Sequence, residues 1–201
     1  MALFNRRGFD GVAIDDVMAH AGLTHGGFYR HFKAKSELYA EAIALSLAET
    51  PWSRWHGVTV DLAAEDLAGQ VIRAYLSTRH LDDVDASCPL VALPGDVARS
   101  DPTVRQAFES VFRAMVQLFA QGLRRAGRAD RGRALAIAGL CVGGMVVARA
   151  LADPRLAAAV RRSSAKVALA LGAWSPAPAR APRRRAALGD GRVRGRASGV
   201  S

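Results

Sequence analysis

Five histidines (His20, His25, His31, His56 and His80) and two cysteines (Cys88 and Cys141) are the residues best suited to acid–base, nucleophilic or metal chemistry. Their spacing supports none of it. Nucleophilic catalysis needs a base and an orienting group within hydrogen-bond reach, and no histidine falls in a recognisable motif with a carboxylate and a nucleophile. No glycine-rich phosphate loop follows a strand, and no metal-ligand spacing is present. An enzyme, a metal site and a cofactor are therefore not expected. The cysteines are too far apart in sequence to suggest a disulfide framework, which fits a reducing cytoplasm. Cys88 stands before Pro89, where a redox-sensing thiol and an ordinary buried cysteine are both readable, the second favoured.

Three of the histidines cluster in and just before "GLTHGGFYRHF", residues 22–32. Two adjacent glycines there precede a strongly helical segment, although glycine costs about 1 kcal/mol relative to alanine inside a helix. Residues 14–32 read as helix, tight turn and helix, with Ile14, Val17, Ala21, Leu23, Phe28 and Phe32 as a small shared core. In such a unit the second helix enters the major groove by its amino-terminal end. A missing side chain at Gly26 and Gly27 would let backbone approach DNA, and phosphate is favoured at a helix start. Thr24 is the expected N-cap. Tyr29 and His31 can reach phosphates or base edges, while Lys33 and Lys35 add backbone contacts.

The elements around this segment are all expected to be helical, because no alternating β-branched run is long enough for a sheet. Helices are predicted over about 14–21, 25–32, 35–49, 62–79, 102–124, 131–151 and 154–171, with 51–58 a connection and 82–102 a region of loop and short helix broken by prolines. Val104, Phe108, Val111, Met115 and Leu118 recur at helical spacing. The most apolar stretch, 134–152, has only fifteen uncharged residues between Arg133 and Arg149. That is short of the ~20 a bilayer requires, so a buried helix is expected and no membrane partner.

The formal net charge is +10, but residues 175–201 hold seven arginines and one aspartate. Overall basicity is thus weak evidence for nucleic-acid binding. The tail has no apolar periodicity and is expected to be disordered.

The segment "GFDGVAIDDVMAHAGLTHGGFYRHFKAKSELYAEAI" (8–43) resembles the DNA-binding domain of the TetR family of bacterial transcriptional regulators. Its Gly-aromatic pair, its short helix ending Ala-Gly-apolar-Thr, Gly-x-Phe-Tyr-x-His-Phe and Lys-x-x-Leu carry the resemblance. "CPLVALPGDVARSDPTVRQAF" (88–108) is similar to one branch of the family's regulatory domains. The resemblance implies an all-α homodimer, a ligand-responsive regulator of transcription and more often a repressor, that binds double-stranded operator DNA and releases it to a small-molecule effector. It divides the chain into a helix-turn-helix domain (1–46), a regulatory and dimerisation domain (47–174) and the tail (175–201). It places Thr24, His25, Gly26, Gly27, Tyr29, Arg30 and His31 on the recognition helix and Lys35 at a phosphate-contacting helix start. His25 stands where the family often has lysine.

Departures from the pattern carry expectations of their own. Most of a first helix is missing before residue 8, which would expose the small core around Val17 and Phe28. Ala13 and Ala34 replace the usual Ser or Thr caps, each at a typical cost of ~1 kcal/mol. An effector pocket would be lined by Phe108, Phe112, Met115, Phe119 and Tyr75, although the same stripe suits an ordinary core. The helices at 131–151 and 154–171 would pair with their copies as a four-helix bundle. Ala134, Ala138, Gly139, Gly143, Gly144 and Ala148 would allow close approach there, with Leu135, Val142, Met145, Val160 and Val167 filling gaps. The rival reading is a regulator that has lost DNA binding, whose helical dimer binds a small molecule or partner.

Overall fold

The computed structural model of the chain describes residues 1–48 and 58–174, and every regular element among them is helical. The tail and most of the connection at 51–58 lie outside the described residues. In chain order the helices are α1 (Ala2–Arg7), α2 (Ile14–His20), α3 (His25–Phe28), α4 (Lys35–Ala44), α5 (Leu67–Tyr75) and α6 (Thr78–Asp82), then α7 (Pro89–Ala92), α8 (Pro94–Arg99), α9 (Pro102–Arg125), α10 (Arg131–Ala150) and α11 (Pro154–Gly172).

Local chemistry explains where they start. Pro89, Pro94, Pro102 and Pro154 each open a helix, at the position where a missing N–H and a fixed φ are harmless. The carboxylates of Asp101, Asp130 and Asp153 accept N–H groups of the first turns of α9, α10 and α11, which satisfies donors that a helix start leaves unpaired.

Three predicted helices are shorter than their patterns suggested. The one expected over 35–49 forms α4 and then tightens into a 3-10 turn at Leu45–Leu47. The helix expected over 62–79 forms only as α5, because the Asp61 carboxylate accepts the Ala63 N–H at 2.9 Å and folds 61–66 into a turn. At the other end Ser77 Oγ accepts the His80 N–H at 3.2 Å and starts α6. Helix α3 ends at Phe28, and the chain continues as a turn in which the Phe32 N–H still reaches Phe28 O at 3.0 Å. Thr24 does occupy the N-cap position, but its hydroxyl caps no N–H.

The core is one continuous cluster centred on α10, where Ala134, Ile137, Ala138, Cys141 and Met145 have no exposed surface. Phe119 and Leu123 of α9, Ile72 of α5, Leu90 of α7 and Ala168 of α11 belong to the same cluster, which reaches Tyr39 and Ile43 of α4 and Phe4 of α1. Among the described residues α10 alone is long and apolar enough to cross a membrane by length and composition.

A second apolar row on α10 lies outside this core. Leu135, Gly139, Gly143 and Val147 are exposed, four residues apart, and Leu156 and Val167 of α11 are exposed as well. A Cβ on Gly139 or Gly143 would meet nothing, whereas one on Gly144 would stand 2.5 Å from Ser164 Oγ. The small residues therefore serve two purposes. Ala134, Ala138, Gly144 and Ala148 pack within the chain, as does Met145, which the sequence pattern had assigned to an intersubunit gap.

Candidate nucleic-acid interface

The chain leaves α2 through Ala21 and Gly22, whose φ of 68° is the left-handed conformation that glycine adopts without a steric cost. The Leu23 N–H then bonds Met18 O at 2.8 Å and closes the turn. At the other end of α2 the Asp16 carboxylate accepts the Ala13 N–H at 3.2 Å and pairs with Arg7 at 3.1 Å. This is the reciprocal half of a capping box, and the acceptor that a Ser or Thr at Ala13 would offer the first-turn N–H groups stays missing. Before α4 the Glu37 carboxylate likewise turns back to accept the Lys33 N–H at 2.6 Å, while Ala34 caps nothing.

The centre of the small core under the turn is covered. Phe28 is 1% and Met18 6% exposed, with the Phe28 and Phe32 ring centroids 5.4 Å apart. Val17 is half-buried, whereas Ala21 and Leu23, expected in the same core, are exposed, Leu23 by 59%, because the turn carries them away from it. Phe4 of α1 is itself buried, 4.7 Å from the Tyr39 ring.

The opposite side of α3 is open. Thr24, His25, Gly26, Tyr29, Arg30 and His31 are exposed, and Gly27 is half-buried. The structure thus gathers seven of the eight sequence-predicted contact residues on α3 and its flanks. A Cβ on Gly26 would touch nothing, and one on Gly27 would make ordinary contact with Met18 at 3.5 Å. Neither glycine has a positive φ. The fold therefore does not require glycine at either position. Gly26→Ala and Gly27→Ala should raise thermal stability, by up to about 1 kcal/mol each, while weakening DNA binding. Paired melting curves and DNA titrations check this; a loss of stability would return the glycines to the fold.

Lys35, the eighth residue, lies at the start of α4 with its ammonium 4.3 Å from the Phe9 ring centroid. That cation–π contact holds it near the interface. Phe9 is anchored in turn, because its N–H donates to Asp96 Oδ2 of α8 at 2.8 Å. Gly8 has a φ of 70°, and a Cβ there would lie 2.7 Å from the same oxygen. The Gly-aromatic pair is thus a docking point between α1 and α8. Residues 1–48 hold five basic and five acidic residues, so this segment carries no net formal charge that would attract an anion at long range.

A second junction went unseen in the sequence. The Asn5 amide donates to Asp85 O and Ser87 O, each at 3.0 Å, and Arg6 pairs with the Asp85 carboxylate. From the other side Arg149 of α10 reaches Ser87 Oγ, His80 O and Asp83 O. The 83–87 loop is therefore held by α1 and α10 at once. Beneath it, His80 is fully buried, its Nδ1–H donating to Tyr75 O at 2.7 Å and its Nε2 accepting the Cys88 N–H at 3.4 Å. These partners are far from one another in sequence, and no local spacing marks them.

The predicted effector residues are not brought into one cavity. Tyr75 and Phe119 are buried in the core, Tyr75 with its ring 4.7 Å from that of His80. Phe108 and Met115 are partly buried against the same core. Phe112 alone of the five lines the groove of about 720 Å³ between α9 and the start of α10, with Val116, Leu135, Arg124 and Arg131. Cys88 is 5% exposed, and burial pushes the Cys141 thiol well above its ordinary range. Among the described residues no group of three or more His, Cys, Asp or Glu could hold a metal ion.

Two family models divide this architecture between them. Residues 1–42 match that of the bacterial regulatory proteins of the tetR family, and residues 64–163 match the LmrA/YxaF-like transcriptional regulator C-terminal domain. Reduced NemR of E. coli superposes with a TM-score of 0.65 at 17% identity, over 83% of this chain and 89% of that one. A TetR transcriptional regulator from Chloroflexus aurantiacus does so with a TM-score of 0.60 at 22% identity, over 86% and 87%. No curated protein matches the chain. An amino-terminal helix-turn-helix and a larger helical domain, each matched by its own model, lead to one conclusion: the chain belongs to the TetR family of bacterial transcriptional regulators.

Proposed function

We propose that the protein is a cytoplasmic repressor that binds operator DNA as a homodimer and releases it when a small molecule binds the regulatory domain. The observation that carries the DNA-binding reading is the outer face of α3. Polar side chains and Gly26 are exposed there, Gly27 is half-buried, the fold requires neither glycine, and Phe28 and Met18 are buried behind them. The apolar row on α10 with Leu156 and Val167 supports the dimer, since an exposed apolar stripe of this kind marks an interaction surface. A two-fold dimer presents two recognition helices to successive major grooves. The groove beside Phe112, with an apolar floor and arginines at its edge, supports an effector site in the regulatory domain. The loop shared by α1 and α10 offers a route by which that domain acts on DNA binding.

Tyr29 and Lys35 are assigned to phosphate. Tyr29→Phe and Lys35→Gln should each weaken binding about three- to ten-fold on every duplex sequence alike, the size of one hydrogen bond or ion contact. Fluorescence anisotropy on matched duplexes reads this out. A changed base preference at constant overall affinity would contradict the assignment.

A further inference from the structure

One acidic residue on α2 faces the recognition helix and is used by nothing described so far. Asp15 Oδ1 is hydrogen-bonded to His25 Nδ1, across the turn from α2 to the first residue of α3. Its own side chain is 74% exposed. We infer that Asp15 is a positioning residue for base recognition, holding His25 so that its Nε2 reads a base edge in the major groove. The inference rests on the DNA-binding reading above and goes beyond it to sequence specificity.

A carboxylate only accepts hydrogen bonds, so the proton on Nδ1 is fixed by its partner. The remaining polar atom of the ring is Nε2, which has no hydrogen bond among the described residues. The Tyr29 ring lies 5.6 Å from the imidazole centroid, tilted by 57°, and brackets it from the following turn. Two neighbours from two elements thus restrict a half-exposed side chain that would otherwise sample several rotamers. Residues at the start of a recognition helix are those that meet base edges. In the neutral ring Nε2 is an acceptor, and the donors that bases offer in the major groove are the amines of adenine and cytosine. His25 therefore favours an adenine or cytosine at one position of each half-site.

Asp15 carries an opposite effect on affinity, because a negative charge beside the backbone repels phosphate. Removing it should separate the two roles. Full-length wild type and the variants Asp15→Ala, Asp15→Asn and His25→Ala are each used to select duplexes from a random pool at pH 8. They are then titrated against a selected duplex and a scrambled one. Wild type should enrich adenine or cytosine at one position per half-site. Asp15→Ala and His25→Ala should lose about ten-fold discrimination at that same position and keep the others. Asp15→Ala should bind the scrambled duplex as tightly as wild type or tighter. Asp15→Asn, whose side-chain oxygen still accepts the Nδ1–H, should retain most of the preference. An Asp15→Ala protein with its preference intact, or with all positions weakened together, would overturn the inference and leave the regulator reading standing. A wild type that selects no common sequence would overturn both.

Discussion

Lowering the pH from 7 to 4 is expected to cost roughly 3 kcal/mol of folding stability through one side chain, His80. Its pKa is pushed from 6.5 down to about 4, mainly by burial and with help from the nearby Arg149 charge, against the opposing pull of the Tyr75 carbonyl and Asp83. Both ring nitrogens are satisfied in the neutral form, one as donor to Tyr75 O and the other as acceptor from the Cys88 N–H. A second ring proton would face that N–H donor in a site with no water access. The unfolded chain therefore binds a proton in this window and the folded one does not. Stability is complete above about pH 6.5, falls as pH drops and levels off near pH 4 on this account. Asp85 and Asp101, both held below the usual carboxylate value, lose their contributions at lower pH. Urea titrations at intervals between pH 7 and pH 4 should show the slope in wild type. His80→Asn should be less stable at pH 7 and flat across the window; an equally steep variant would assign the slope elsewhere.

Gly143→Glu is expected to weaken self-association at least a hundred-fold, the second large effect. Gly143 lies in the exposed row with Leu135, Gly139 and Val147, and a side chain there meets nothing within its own chain. Two-fold pairing along this row would bring two such carboxylates together in an apolar contact without partners. The monomer has no reason to unfold, so circular dichroism should be unchanged while sedimentation shifts to the monomer. DNA affinity should fall too, since one recognition helix then binds without the other. Gly144→Leu is the contrast. Its side chain would collide with Ser164 and Leu76 within the same chain, so it should lose fold and assembly together. A Gly143→Glu protein that stays dimeric would place the interface elsewhere.

How much of this was legible beforehand depended on the range of the interaction. Asp101-Pro102 and Asp153-Pro154 announce helix starts within two residues, and α9 and α11 begin where those pairs stand. Residues 62–79 misled because apolar periodicity outlasts the helix, while the Asp61 turn and the Ser77 cap are decided by single hydrogen bonds. Periodicity marked the apolar side of α9 but not what lies opposite it. Phe119 therefore fell in the core and Phe112 in a groove, though both belong to one stripe. The exposed side of α3 was readable because its residues are contiguous. Asp15 with His25 needed the angle of the turn, and Arg149 with Ser87 joins residues 62 positions apart.

An α3 face that reads DNA as one half of a symmetric pair leaves its mark on the sequence it selects. The purified wild-type protein is used to select duplexes from a random pool, and the enriched sequences are aligned. The aligned sequences should form an inverted repeat whose half-sites are centred one helical turn, or a multiple of it, apart. Enrichment of unrelated sequences, or of a single unrepeated half-site, would contradict it.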